Sequence, residues 1–173
     1  MKITNILITC IFIITIYSCG TFYSKPSGFK YRYDGAYTGL DTIINTNGYY
    51  MSRESSPSVN NSRKYNNYIF YTDGLVCYLN DNNPHKSFKE RSVIPGSWGR
   101  YIISKDTIKC QFIINHGVMG GIALGKVDFL IINNSLIKEM DDSNTEYVFN
   151  RLDTKIDSTN WLLKKKWFYK KDK

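Results

Sequence analysis

The stretch that constrains the fold most is a run of alternating residues on either side of Lys105-Asp106. Trp98 to Ser104 and Thr107 to Ile114 read as two strands joined by that pair. In that register Tyr101, Ile103, Ile108, Cys110 and Phe112 share one face. Arg100, Ser104, Thr107, Lys109 and Gln111 share the other, interrupted only by Ile102. Side chains alternate across a strand, so this is an antiparallel pair with an apolar and a polar face. A chain containing it must build a sheet and cover one side of it.

The neighbouring sequence repeats the pattern. Tyr68-Ile69-Phe70-Tyr71 and Leu75-Val76-Cys77-Tyr78-Leu79 flank Asp73-Gly74, a pair suited to a tight turn. A two-residue loop there sets Phe70 opposite Cys77. A third hairpin is expected over Val127 to Ile132, Asn133-Asn134 and Ser135 to Met140, and Glu146-Tyr147-Val148-Phe149 gives another short strand. Strands are also expected in Phe29 to Thr46, from the alternation of Tyr31 and Tyr33. Asn47-Gly48 then turns the chain into Tyr49-Tyr50-Met51. Ser52 to Asn67 and Asp81 to Arg91 are polar and read as loops. Aromatic residues are 15% of the chain, with Tyr at 14, which biases it further toward strand. The expectation is an all-β fold: an antiparallel meander of about seven or eight strands closing into a small barrel or sandwich.

The first twenty residues are different in kind. Lys2 is followed by an uncharged, largely apolar run from Ile3 to Tyr17, then Ser18-Cys19-Gly20. The run suits an export signal rather than a spanning helix. Ile16-Tyr17-Ser18-Cys19 resembles the lipobox of bacterial lipoproteins, with a branched aliphatic three before the cysteine and a small residue directly before it. The resemblance implies cleavage before Cys19, a diacylglycerol on its sulfur and residence in the cell envelope. Gly20, not an aspartate, implies sorting to the outer membrane. Acyl chains contribute about 0.8 kcal/mol per buried CH₂, so more than one makes anchoring stable.

The expected organisation is thus a signal over 1–18, a lipidated tether over 19–28, a β domain over 29–152 and a basic aromatic segment over 153–173. From 164 to 173 there are six lysines and one acid. Trp161, Lys164, Lys165, Lys166 and Trp167 are candidate membrane contacts, since rings and ammonium groups suit a headgroup layer. The alternative is a segment packed on its own domain with its lysines in water. Asp157-Ser158-Thr159 could cap a short helix before it. Export removes Lys2 and no acid, so the formal charge falls from +8 to +7. That favours anionic lipids or glycans as partners and, in this compartment, argues against nucleic acid.

Cys77 and Cys110 remain in the exported chain as a candidate disulfide or as two buried thiols. No catalytic or metal constellation stands out. Gly120 to Lys126 has the spacing of a phosphate-binding loop, but Val127 follows where Ser or Thr would hold magnesium, and a strand pattern replaces the helix. His85 and His116 are the only histidines and lack metal-ligand spacing. Gly96-Ser97-Trp98-Gly99 lacks a nucleophile elbow. A dyad of His116 with either cysteine would need a thiol that a strand buries, and Asp73 and Asp106 fit turns better than acid catalysis. No cofactor is expected.

Gly96-x-Trp98 with Tyr101, Ile103, Asp106-Thr107-Ile108 and Gln111 resembles the G-x-W strand and adjoining hairpin of lipocalin-like bacterial lipoproteins. The resemblance spans about residues 68–132 and implies a barrel holding a small apolar ligand. The expected function is a non-enzymatic, membrane-anchored envelope lipoprotein that binds a small apolar or glycan ligand. The alternative is an accessory interaction lipoprotein of an envelope complex.

Overall fold

The structure is a computed structural model that describes residues 25–54, 64–90, 97–115, 122–154 and 156–169. Among the described residues eight strands follow in chain order: β1 (Gly48–Ser52), β2 (Tyr65–Phe70), β3 (Leu75–Asp81), β4 (Ser97–Ser104), β5 (Thr107–Asn115), β6 (Ile122–Asn133), β7 (Leu136–Glu139) and β8 (Glu146–Arg151). Each pairs antiparallel with the next, and β8 returns to β1 over Gly48↔Arg151 to Ser52↔Tyr147. The result is a closed up-and-down meander of the lipocalin-like kind, in which every described strand has two ladder neighbours.

The β4–β5 hairpin has the expected register: Tyr101↔Cys110, Ile103↔Ile108 and Ser104↔Thr107 around Lys105-Asp106. Tyr101, Ile108, Cys110 and Phe112 point into the barrel. The β2–β3 register differs by one residue, with Ile69↔Cys77 and Phe70↔Val76. Its loop is longer than two residues: Gly74 N donates to Tyr71 O, and Gly74 sits at φ +88. A turn followed by a left-handed glycine makes a bulged loop, which moves Cys77 to the face of Ile69. The β6–β7 turn falls at Asn134-Ser135, one residue later than expected, because the ladder shifts between Ile131 and Asn133.

Three further expectations are corrected. Phe29 to Thr46 forms no ladder strand. It holds a 3-10 turn at Leu40–Thr42 and one isolated bridge, Tyr33↔Tyr169. Its alternation marks an extended segment lying on the barrel with one side covered. The polar stretch before β2 ends earlier than expected: Tyr65, Asn66 and Asn67 pair with Asp81, Asn80 and Leu79. Asp81 to Arg91 contains a helix, α1 (Pro84–Glu90). Asn83 Oδ1 accepts from Lys86 N at 3.2 Å, and Pro84 takes the first helical position, where no backbone donor is needed. Phe88 of α1 is buried against Tyr49, ring centroids 5.0 Å apart.

The core has two layers. One fills the barrel. The other lies on the outer wall of β2 to β5, where Ile69, Leu75, Cys77, Trp98 and Ile113 form an apolar stripe. Such a stripe must be covered, which is why β2 and β3 read as continuous apolar runs. The cover comes from both flanks of the barrel: Phe29 before it, Leu162 and Phe168 after it, all buried. Full burial of such a side chain contributes about 1.5–3 kcal/mol. Asn160, rather than Asp157 to Thr159, caps the 3-10 turn Trp161–Lys164, its Oδ1 accepting from Leu162 N.

Candidate functional site

The two ends of the barrel differ in chemistry: one is plugged by residues 38–45, and the other, termed the mouth, carries polar inward side chains among the described residues. At the closed end, Leu40 and Ile44 insert among the inward residues and are fully buried. Thr38 N donates to Thr72 O at 2.8 Å, and Asn45 N donates to Asn134 O at 2.8 Å. Tyr101 OH reaches Tyr71 O at 2.7 Å, and Tyr50 OH reaches Asn134 O at 2.9 Å. The 38–45 segment is therefore hydrogen-bonded across the β2–β3 and β6–β7 turns as a plug.

The middle of the barrel is filled by rings. Tyr68 meets Phe70, Tyr78, Phe112, Phe129 and Tyr147, with centroids 4.8 to 6.4 Å apart. These rings come from β2, β3, β5, β6 and β8, so they span the barrel's cross-section. Burial pushes the Tyr68 phenol well above its ordinary range.

At the mouth the inward side chains turn polar. Tyr147 OH donates to Glu139 Oε2 at 2.7 Å. Asn66 Oδ1 accepts from Tyr78 OH at 2.9 Å and from Asn80 Nδ2 at 2.7 Å. Ser52 Oγ accepts from Asn66 N at 3.1 Å. Burial raises the Glu139 pKa, while the Tyr147 hydrogen bond pulls the other way. A half-buried carboxyl beside two phenols and two amides can hydrogen-bond a polyhydroxylated or amine-bearing ligand. No residue here is placed as a nucleophile.

A concavity opens outside the ladder. β1 and β2 pair only at Tyr50↔Tyr68 and Met51↔Asn67. Beyond that pairing a cleft of about 420 Å³ is lined by Gly48, Ile69, Tyr71, Leu152 and Ile156, with Arg151 and Asp153 also bordering it.

The outer wall of β4 and β5 carries two polar residues that hold the N-terminal segment. Gln111 Oε1 accepts from Lys30 N at 2.8 Å and Tyr31 N at 3.1 Å, and its Nε2 donates to Gly28 O at 3.3 Å. Arg100 donates from Nη2 to Asp34 Oδ1 at 3.0 Å and from Nη1 to Asp73 O at 3.1 Å. Its guanidinium also lies 5.6 Å from the Tyr33 ring centroid. Tyr33 OH donates to Asp73 Oδ2 at 2.9 Å; burial, then that bond, push its pKa up to about 12. Both Arg100 and Gln111 face outward as expected, yet both are buried under this strap.

The residues singled out from sequence are scattered. Cys19 lies outside the described residues, as does His116, and His85 is exposed on α1. Cys77 and Cys110 are free buried thiols, the second of the two alternatives that the sequence left open. Cys77 belongs to the outer layer and Cys110 to the barrel interior, so the wall separates them. Burial raises both thiol pKa values, which makes them unreactive. Gly125 and Lys126 lie within β6, paired with Phe112 and Gln111, so this part of the phosphate-loop spacing belongs to a ladder. Trp161, Lys165 and Trp167 are half-buried, and Lys164 and Lys166 are exposed. The mouth set was missed because Asn66 sits in a stretch read as loop, and Glu139 looks like an ordinary polar strand residue. No family model, no curated protein and no solved structure matches this chain.

Proposed function

We propose that this chain is a non-enzymatic lipoprotein of the bacterial cell envelope, anchored through Cys19 at the outer membrane, that works through its outer surface as an accessory interaction protein. The observation that carries this reading is the ring packing around Tyr68, which occupies the space where a barrel of this kind would hold an apolar ligand. The plug of Leu40 and Ile44 supports it from the closed end. A barrel plugged at one end and filled with rings through its middle is a rigid mount, and what it offers is its exterior, its rims and its anchor.

Photo-crosslinking in cells from the exposed positions Tyr37, Met140 and Tyr169 tests this. One dominant protein partner, trapped from at least one position, is the expected result. Purification with no partner from any position would overturn it. Point substitutions are the proper controls. Deleting 161–173 would strip Leu162 and Phe168 from the core and unfold the wall they cover.

A second reading is favoured by the mouth alone. Glu139 is kept half-buried with a raised pKa, a cost that a binding role for polar or glycan ligands would explain. Glycan titration followed by amide chemical shifts should then move Asn66, Asn80, Glu139 and Tyr147 together. Shifts spread over the outside of the barrel would exclude the mouth.

A further inference from the structure

The fold brings the start of the described chain and its end onto one side of the barrel. The Phe29 ring lies 5.7 Å from both Trp167 and Phe168. Tyr33 N donates to Phe168 O at 2.8 Å, and Tyr33 bridges to Tyr169 in parallel. Residues 25–33 and 161–169 are therefore neighbours, although far apart in sequence. Together they contain six basic residues and no acid. Lys25, Lys30, Lys164 and Lys166 are exposed, while Phe29, Leu162 and Phe168 hold the two segments down. Three carboxylates border these segments: Asp34 is paired to Arg100 at 3.0 Å, Asp73 accepts from Tyr33 OH at 2.9 Å, and Asp128 lies close enough to raise the Tyr31 pKa.

The apolar run that ends at Tyr17 sets where this face sits. From Cys19 to Lys25 the chain can reach about 20 Å at full extension. An anchor at residue 19, or the run itself kept in the bilayer, would hold Lys25 within that reach of the headgroups. We propose that the paired 25–33 and 161–169 segments form a docking face for an anionic phospholipid bilayer, pulled flat by their lysines once the anchor is in place. Basic residues are drawn to an anionic surface, and the attraction decays over about 8 Å at physiological salt. The face is built by packing, so it is presented in one orientation rather than as a loose tail. This inference rests on the anchored reading above.

The test uses the full chain purified from membranes and reconstituted into lipid nanodiscs of phosphatidylcholine alone, or with one quarter phosphatidylglycerol. Lysine acetylation rates are read by mass spectrometry. With the anionic lipid, Lys25, Lys30, Lys164 and Lys166 should slow at least about threefold relative to Lys86 and Lys138, and high salt should remove the difference. Equal rates in both discs, or a uniform drop at all lysines, would overturn the docking face while leaving the anchor intact. A chain that does not stay with the discs would overturn the anchor and the docking face with it.

Discussion

At the residue scale, the strongest constraints are set by what each side chain would leave unpaired or crowd. Cys77 and Cys110 are separated by the barrel wall and buried, so both should resist a maleimide in the native protein and react after denaturation. Labelling of either without unfolding would contradict the packing. Gly74 combines φ +88 with an approach to Arg100 that a Cβ would obstruct, and Gly99 has the Gln111 carbonyl where its Cβ would be. Gly99→Ala should destabilise by about 1–3 kcal/mol in denaturant titration. Lys105 turns its hairpin at φ 58, so Lys105→Gly should stabilise by up to about 1 kcal/mol.

Glu139 has a folded pKa above its unfolded value, so protons bind the folded state more tightly. Its favourable contribution is full below the unfolded pKa and is lost as pH rises through the folded one. Glu139→Gln should therefore raise the melting temperature at neutral pH and have little effect well below pH 4. A lower melting temperature at neutral pH would mean that the carboxylate is stabilised by groups other than Tyr147.

At the element scale, hairpins with clean alternation were legible and segments answering to distant partners were not. The β4–β5 register could be read because Tyr101, Cys110 and their neighbours alternate on both sides of a tight turn. The β2–β3 register could not, because both faces of β2 and β3 are apolar and nothing local chooses between them. The strap over 28–34 alternated like a strand because it lies extended along the barrel, its donors met by Gln111 rather than by a ladder. Gln111→Leu keeps the bulk but orphans Lys30 N and Tyr31 N, and should cost about 1–3 kcal/mol. The short helix α1 was hidden in a polar run whose cap, Asn83, reads equally well as a turn residue. Asn83→Ala should cost about 1 kcal/mol, read by the same titration.

At the scale of the whole molecule, sequence pattern predicted a small barrel or sandwich, and the β8–β1 pairing decided for the barrel. That closure is non-local and leaves no mark in either strand. The filled interior was equally hidden: inward aromatics could have lined a cavity or packed against one another, and only their convergence on Tyr68 decides it. Tyr68→Ala should cost about 3–5 kcal/mol, the scale of a large aromatic removed from a core.

The direct measurement is native mass spectrometry of the chain purified from envelope membranes. One mass is expected: the polypeptide from Cys19 onward, carrying its acyl groups and no further small molecule. An unacylated chain retaining residues 1–18, or a stoichiometric apolar ligand released only on unfolding, would contradict it.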